Sequence, residues 1–308
     1  MPDTRVTVMG SFIADLAFRT PQLPVWGQTI MGSGFRLGPG GKGSNQAVAA
    51  ARLGAKVSFI CKLGRDAFGD LARRTYKEEG IDTEFCFEAP DHGTGAASIV
   101  VHEDKGENAI VVVPGSGFQL TVEDVDRAAS LIERSSIFVT QLEVPVQAVE
   151  RGLELAHRFG VPTILNPAPA HELPERIYAF CDYLAPNETE AAALIGRPVS
   201  GIAGAERAAD VFLARGVRNV VITLGEQGAF VKNGRVAEHV PAFDAGPVVD
   251  TTGAGDAFNG GLAIGVAEGL DVVAATRLGC TTAAISVTRF GTAPAMPTRA
   301  EVDALLRK

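Results

Sequence analysis

Two glycine-dense stretches carry residues able to do chemistry together. The later one, residues 250–261, reads DTTGAGDAFNGG. A strand-like approach through Pro247, Val248 and Val249 meets Thr-Thr-Gly-Ala-Gly, and a helix-period stretch runs on through Ala267. Glycines at such a junction let several backbone N–H groups at a helix N-terminus point at one spot, and the helix dipole adds positive potential there. The spacing predicts an anion hole at Gly253, Ala254 and Gly255, suited to negative charge that develops on a group in transfer. Asp256 falls in the first helical turn beside it, where a carboxylate could take the proton of an attacking hydroxyl. An acid at that position also serves many helices simply as a dipole or capping residue.

The earlier stretch, residues 38–54, reads GPGGKGSNQAVAAARLG: a tight turn entering a helix of small residues. Gly38, Gly40 and Gly43 formally satisfy G-x-G-x-x-G. A dinucleotide site wants that pattern at the first strand-to-helix turn, with an acid about 20 residues on. Here it follows another strand-like segment, and the next β segment ends at Cys61-Lys62 without an acid. A better use is a polyhydroxy ligand, held by N–H groups at the helix start and by the donors of Lys42 and Asn45. No G-x-x-x-x-G-K-[ST] and no G-x-S-x-G occurs, and His92, His102, His157, His171 and His239 lack metal-ligand spacing.

The elements that must position these residues alternate. Short apolar strands are read at 5–9, 56–61, 136–141, 162–165, 183–185 and 219–223. Helix-period stretches are read at 44–53, 122–133, 145–159, 188–194 and 204–215. That alternation predicts an α/β fold, a doubly wound, mostly parallel sheet flanked by helices. Two segments break the rhythm: 29–37 and the hairpin 97–113, whose arms flank a polar loop at 102–108. They are expected to form a small antiparallel β lid and dimer surface, or else an antiparallel extension of the main sheet edge.

The bulk properties bound the partners. With 308 residues the chain can bury a full core as two domains or one large one. A net charge of −8 disfavours nucleic acid and anionic membrane. Cys61, Cys86, Cys181 and Cys280 lie far apart and read as reduced, mostly buried thiols. No signal peptide is read at the N-terminus and no apolar run approaches about 18 residues, so a cytoplasmic location is expected.

Six motifs stand in register: GGKGSNQA (40–47), QLE (141–143), NPAPA (166–170), PNETE (186–190), TLGEQG (223–228) and DTTGAGDAF (250–258). With them the chain resembles the ribokinase-like family of sugar and nucleoside kinases over essentially its whole length. The resemblance implies one α/β kinase domain over 1–308 with a discontinuous β lid from about 11–40 and 94–115, commonly a lid-mediated homodimer. It implies ATP-dependent phosphorylation of ribose at the 5-hydroxyl, with Asp256 as the base and Gly253, Ala254 and Gly255 as the anion hole. Asp15, Ile13, Gly41, Lys42, Asn45 and Glu143 would stand at the sugar. Asn187, Thr223, Leu224, Gly225, Glu226, Gln227, Gly228, Gly255 and Cys280 would line the ATP site. Glu190 would order Mg2+ through water. A monovalent cation, K+, would sit among Asp250, Thr252, Ser286, Arg289, Gly291 and Ala295, several of them through backbone carbonyls.

One departure bears on the substrate. Where the family usually reads G-S-x-N-x-D, this chain reads GSFIAD, with Ile13 in place of a polar Asn. A buried sugar hydroxyl left without a partner costs roughly 1–3 kcal/mol. Ile13 facing the sugar would therefore favour 2-deoxyribose or another pentose or ketose, and Ile13 packed into the lid core would leave ribose preferred. A sugar- or nucleotide-sensing protein without turnover is the reading from a different class, and the retained Asp256 and TGAG turn speak against it.

Overall fold

The computed structural model describes residues 4–103 and 108–307. First come β1 (Arg5–Met9), β2 (Ile13–Thr20), β3 (Gly34–Gly40), α1 (Lys42–Arg52), β4 (Lys56–Leu63), α2 (Ala67–Glu78), β5 (Cys86–Glu88), β6 (Thr94–His102) and β7 (Asn108–Gly115). The middle holds α3 (Val122–Arg127), α4 (Ala129–Glu133), β8 (Ile137–Thr140), α5 (Val146–Phe159), β9 (Thr163–Leu165), β10 (Tyr183–Leu184), α6 (Glu188–Ile195) and α7 (Gly201–Ala214). Last come β11 (Asn219–Thr223), β12 (Ala229–Asn233), β13 (Ala237–Val240), α8 (Ala254–Ala267), α9 (Val272–Ser286) and α10 (Arg299–Leu306).

The larger sheet has nine strands in the order β13-β12-β11-β10-β9-β8-β1-β4-β5. It is parallel from β11 to β5, and β12 and β13 close one edge antiparallel. Its strands divide their side chains between two apolar layers, as period-2 geometry requires. On β4, Val57, Phe59, Cys61 and Leu63 belong to the apolar layer that holds α1, α8 and α9, while Ile60 belongs to the opposite layer, which holds α5. Burial on both faces is what makes RVTVM and NVVIT read as apolar runs.

The smaller sheet, β3-β2-β6-β7, gathers the two segments that broke the alternation into a body separate from the main sheet edge. β2–β3 and β6–β7 pair antiparallel, and the middle pair β2–β6 is parallel. The 97–113 hairpin has its arms at β6 and β7, and its loop at 104–107 lies outside the described residues. The 29–37 segment becomes a strand only from Gly34. β2, β5, β12 and β13 are strands the sequence reading did not single out. The 122–133 stretch is broken at Ala128 into α3 and α4, where the Ala128 backbone (φ −89°, ψ 3°) leaves α geometry. The approach at Pro247, Val248 and Val249 is not a strand: the N–H groups of Val249 and Asp250 both turn to the Val287 carbonyl.

Small residues let α1, α8 and α9 approach closely. A Cβ on Gly260 of α8 would stand 2.4 Å from Ala49 Cβ on α1, and one on Gly265 would stand 2.6 Å from Ala275 Cα on α9. Gly260→Ala is expected to cost about 1–3 kcal/mol in urea unfolding, the range for overpacking a core. Gly234→Ala, where a Cβ meets nothing within 4 Å, serves as the control at under about 0.5 kcal/mol. Equal unfolding midpoints for the two variants would contradict the close α1–α8 packing.

Candidate active site

The carboxyl ends of β1, β8, β9, β10 and β11 all open on one side of the large sheet, the place where open α/β sheets bind ligands. A cavity of about 830 Å³ lies there, and Lys42, Asn166, Asn187, Glu190, Asp256 and Asn259 are among its lining residues.

The N-terminus of α8 forms its floor. Gly253 caps the helix in the left-handed region (φ 80°), and a Cβ there would also press Thr292 Cα at 3.3 Å. Ala254 N–H turns back to the Thr251 carbonyl at 3.2 Å. Among the described residues no protein acceptor takes the N–H of Gly253, Gly255 or Asp256, so these amides keep the orphan donors of a helix start. Asp256 is 7% exposed and turns its carboxylate toward α1. Asn45 Nδ2 donates to its Oδ2 at 2.9 Å and Gln46 Nε2 to its Oδ1 at 3.1 Å. Burial raises the Asp256 pKa, and the Lys42 ammonium and the two amide donors pull it back.

Gly41 starts α1 at φ 88°, and any Cβ there would strike the Ile13 nitrogen at 2.6 Å. Lys42 N–H donates to Glu143 Oε2 at 2.8 Å, and Ser11 Oγ donates to the same oxygen. Burial pushes the Lys42 ammonium pKa down, but Asp256, Glu143 and Glu190 together outweigh it and the net shift is upward. Burial raises Glu143, opposed by Lys42, Ser11 and the Lys42 N–H and assisted by Asp256. Asp15 lies over Gly40, whose Cβ would come within 2.2 Å of Asp15 Oδ2. Burial lifts its pKa to about 6; the Thr292 hydroxyl opposes the rise, and Glu143 and Asp256 add to it. Ile13 shares the Asp15 face of β2 but is buried, with Cδ1 seated so that a Cβ on Gly95 would meet it at 2.5 Å. Like Asp15, Gly41, Asn45 and Glu143, it lies outside the lining of that cavity, and its side chain packs beside Gly95.

Toward the other end of the cavity, Asn187 caps α6 in a reciprocal box: its Oδ1 accepts from Glu190 N–H at 2.8 Å, and Glu190 Oε2 accepts from Asn187 N–H at 2.9 Å. Both residues also line the cavity, so capping and cavity lining fall on the same two side chains. Burial raises the Glu190 pKa against the Asn187 N–H and Lys42, with Asp256 adding to the rise. Thr223, Gly225, Glu226, Gly228 and Cys280 are lining residues as expected. Leu224 and Gln227 are not: Leu224 turns into the apolar core, and the Gln227 carbonyl is bonded by the His239 ring. Burial pushes the Cys280 thiol up to about 12, opposed by Arg277. The irregular segment Phe243, Asp244, Ala245 and Gly246 forms a wall that the sequence reading missed.

The proposed cation shell is only partly assembled from side chains. Asp250 ties two loops, accepting from Thr252 N–H at 2.9 Å and from Gly291 N–H at 3.0 Å. The Ser286 hydroxyl donates to the Ala283 carbonyl at 2.8 Å, and Arg289 is ion-paired with Glu301. Ala295 is buried in a short turn with its N–H on the Thr292 carbonyl. No group of three or more His, Cys, Asp or Glu suited to a metal occurs among the described residues.

Several site residues escaped the sequence reading. Ser11, Gln46 and Asn166 sit inside motifs quoted above, but nothing in a single sequence distinguishes them from neighbours. Asn259, in DAFNGG, donates Nδ2 to the Gly255 carbonyl at 2.8 Å and keeps a buried, unpartnered Oδ1. Thr292, which meets Asp15 at 3.1 Å, has no motif around it.

The family model of the pfkB family carbohydrate kinases matches residues 3–299. A mouse (Mus musculus) ribokinase is 41% identical over 98% of this chain and 94% of its own. A deoxyribokinase of Salmonella typhi is 39% identical over 95% of each chain. The structure of Arabidopsis thaliana ribokinase complexed with ribose and ATP superposes with a TM-score of 0.92 at 29% identity, over the full length of both chains. The family match and the full-length relatives place the chain in the pfkB family of carbohydrate kinases.

Proposed function

We propose that this chain transfers the γ-phosphoryl group of ATP to the 5-hydroxyl of D-ribose, giving ribose 5-phosphate and ADP. The observation that carries the reading is the meeting, on one cavity, of the unpaired α8 amides with the buried Asp256 carboxylate. Asp256 takes the proton from the sugar hydroxyl as the oxygen attacks, and the amides of Gly253, Gly255 and Asp256 hold the charge spreading over the transferred oxygens. Lys42, between Asp256, Glu143 and Glu190, offsets the accumulation of carboxylates and reaches toward the phosphoryl oxygens.

Asp15, Asn45, Glu143 and the backbone at Gly41 hold the sugar. Asn45 keeps a buried Oδ1 without a partner, a vacancy that a sugar hydroxyl fills. Thr223, Gly225, Glu226, Gly228, Asn187 and Cys280 line the nucleotide end. Glu190 suits Mg2+ held through water, since one carboxylate facing an open cavity is the sparse protein ligation that ion accepts. Bound there, the ion neutralises the nucleotide phosphates. K+ is assigned to the loops tied by Asp250, among Thr252, Ser286, Arg289, Gly291 and Ala295, several of them through backbone carbonyls. The single kinase domain carries the small sheet (about 11–40 and 94–115) as a lid. Its exposed Phe35, Leu37, Val111 and Val113 suit a homodimer contact between two lids. A cytoplasmic location agrees with the absence, among the described residues, of a helix able to cross a membrane.

Two measurements test the reading. Asp256→Asn is expected to lower kcat by about 10²–10⁴ while ATP and ribose binding persist, since a general base contributes about that much. In a panel with 2-deoxyribose, other pentoses and ketoses, ribose is expected to give the highest kcat/KM for ADP release; sugar binding without ADP release would overturn the kinase assignment. The second measurement is pH dependence. Asp15, lifted to about 6, accepts sugar hydroxyls at both oxygens and with full charge only when ionised, so KM for ribose is expected to rise as pH falls through about 6. Asp15→Asn should flatten that dependence, and a KM that keeps its wild-type pH profile in the variant would remove Asp15 from the sugar site.

A further inference from the structure

Behind Asp256, three amide side chains from separate elements join in one buried chain. Gln46 on α1 donates Nε2 to Asp256 Oδ1 and to Asn166 Oδ1, each at 3.1 Å. Its Oε1 accepts from Gln141 Nε2 at 2.6 Å, just past the end of β8. Asn166, just past β9, donates Nδ2 to the Ala185 carbonyl at 3.0 Å. All three side chains are buried.

A primary amide has two N–H donors. Gln46 commits both inside the protein and has none left for a ligand. The direction of every amide follows from one fixed point, because the Ala185 carbonyl can only accept. Asn166 must turn its nitrogen to that carbonyl and its oxygen to Gln46. Gln46 must then present nitrogen to Asn166 and Asp256, and oxygen to Gln141. Flipped, Gln46 would set oxygen against two oxygens and nitrogen against nitrogen. Asn45 differs: its Nδ2 donates to Asp256 Oδ2 at 2.9 Å, but its Oδ1 is buried without a partner and remains open to a ligand. The carboxylate is thus held at both oxygens from α1, by one amide saturated within the protein and one with capacity to spare.

We propose that Gln46, locked by Gln141 and Asn166, is a positioning residue that fixes the plane of the Asp256 carboxylate and so aims its free lone pairs at the sugar hydroxyl. The inference rests on Asp256 as the proton acceptor. The charged groups facing Asp256 are Lys42 on α1, Glu143 after β8, Glu190 on α6 and Asp15 on β2, and none of them is altered by changing Gln46.

The test is steady-state kinetics on Gln46→Met, Gln141→Met and the double variant, with Asp256→Asn as reference. Gln46→Met keeps the shape and removes the donors. It is expected to lower kcat about 10- to 100-fold with KM for ribose and ATP near wild type, the scale on which misplacing a reacting group acts. The acidic limb of its kcat/KM profile should move to higher pH, because a carboxylate that loses a donor binds its proton more tightly. Gln141→Met reaches Asp256 only through Gln46, so it should show a smaller kcat loss of the same kind. The double variant should match Gln46→Met alone rather than multiply the two losses. A raised KM at unchanged kcat, a wild-type kcat, or multiplying losses would overturn the proposal. If Gln46→Met does not fold, Gln141→Met decides alone: a wild-type kcat there sinks the relay. Turnover retained in Asp256→Asn would instead break the reading of the base itself, whereas collapse there beside wild-type turnover in Gln46→Met sinks only the relay.

Discussion

The structure depends on a carboxylate kept in a buried place at the mouth of a helix whose first amides are unpaired. Burying an anion is costly unless it is hydrogen-bonded or neutralised. Asp256 is offset by the amides of Asn45 and Gln46, the Lys42 ammonium and the positive end of α8. What remains is a base whose pKa is raised rather than lowered, so it holds a proton more readily than an exposed aspartate. That is the electrostatic condition for taking a proton from a hydroxyl as the oxygen attacks.

This condition sets demands on distant parts of the chain. Asn45 and Gln46 reach Asp256 only because α1 and α8 approach closely enough that Gly260 has no room for a Cβ beside Ala49. The approach in turn relies on Gly41, whose left-handed backbone starts α1 against the Ile13 nitrogen and delivers the Lys42 N–H to Glu143. Glu143, Glu190 and Asp15 each feel the Asp256 carboxylate, and Lys42 stands among Asp256, Glu143 and Glu190. A neutral polyhydroxy ligand can enter such a cluster by donating hydroxyls. A phosphoryl group needs donors that add no bulk, and backbone amides at glycines supply them.

Much of this was legible in the sequence because it depends on local chemistry. The parallel strands announce themselves as apolar runs, and DTTGAGD fixes the helix start by glycine and the acid by its offset from it. β2 fell within the 11–40 lid that the resemblance implied but could not be read from its own residues: IADLAFRT carries Asp15 and no clean alternation, and it is a strand because β3 and β6 both pair with it. The direction of the β2–β6 pair likewise depends on partners far apart in the chain. Leu224 shows the limit of reading a motif as a list of contacts, since it packs into the apolar core while Gly225 and Glu226 line the cavity. The Gln46–Gln141–Asn166 chain joins positions far apart in sequence, and amide side chains carry no spacing signal for such a meeting. Ile13 packs beside Gly95 of β6, a neighbour that no motif predicts.

The most direct measurement is a crystal structure of the protein with ribose, ADP, Mg2+ and aluminium fluoride, which mimics the phosphoryl group in flight. The account predicts fluoride positions within hydrogen-bond distance of the Gly253, Gly255 and Asp256 amides, and the ribose 5-hydroxyl between the metal fluoride and the Asp256 carboxylate. A metal fluoride bound away from the α8 N-terminus, or a 5-hydroxyl turned to a residue other than Asp256, would contradict it.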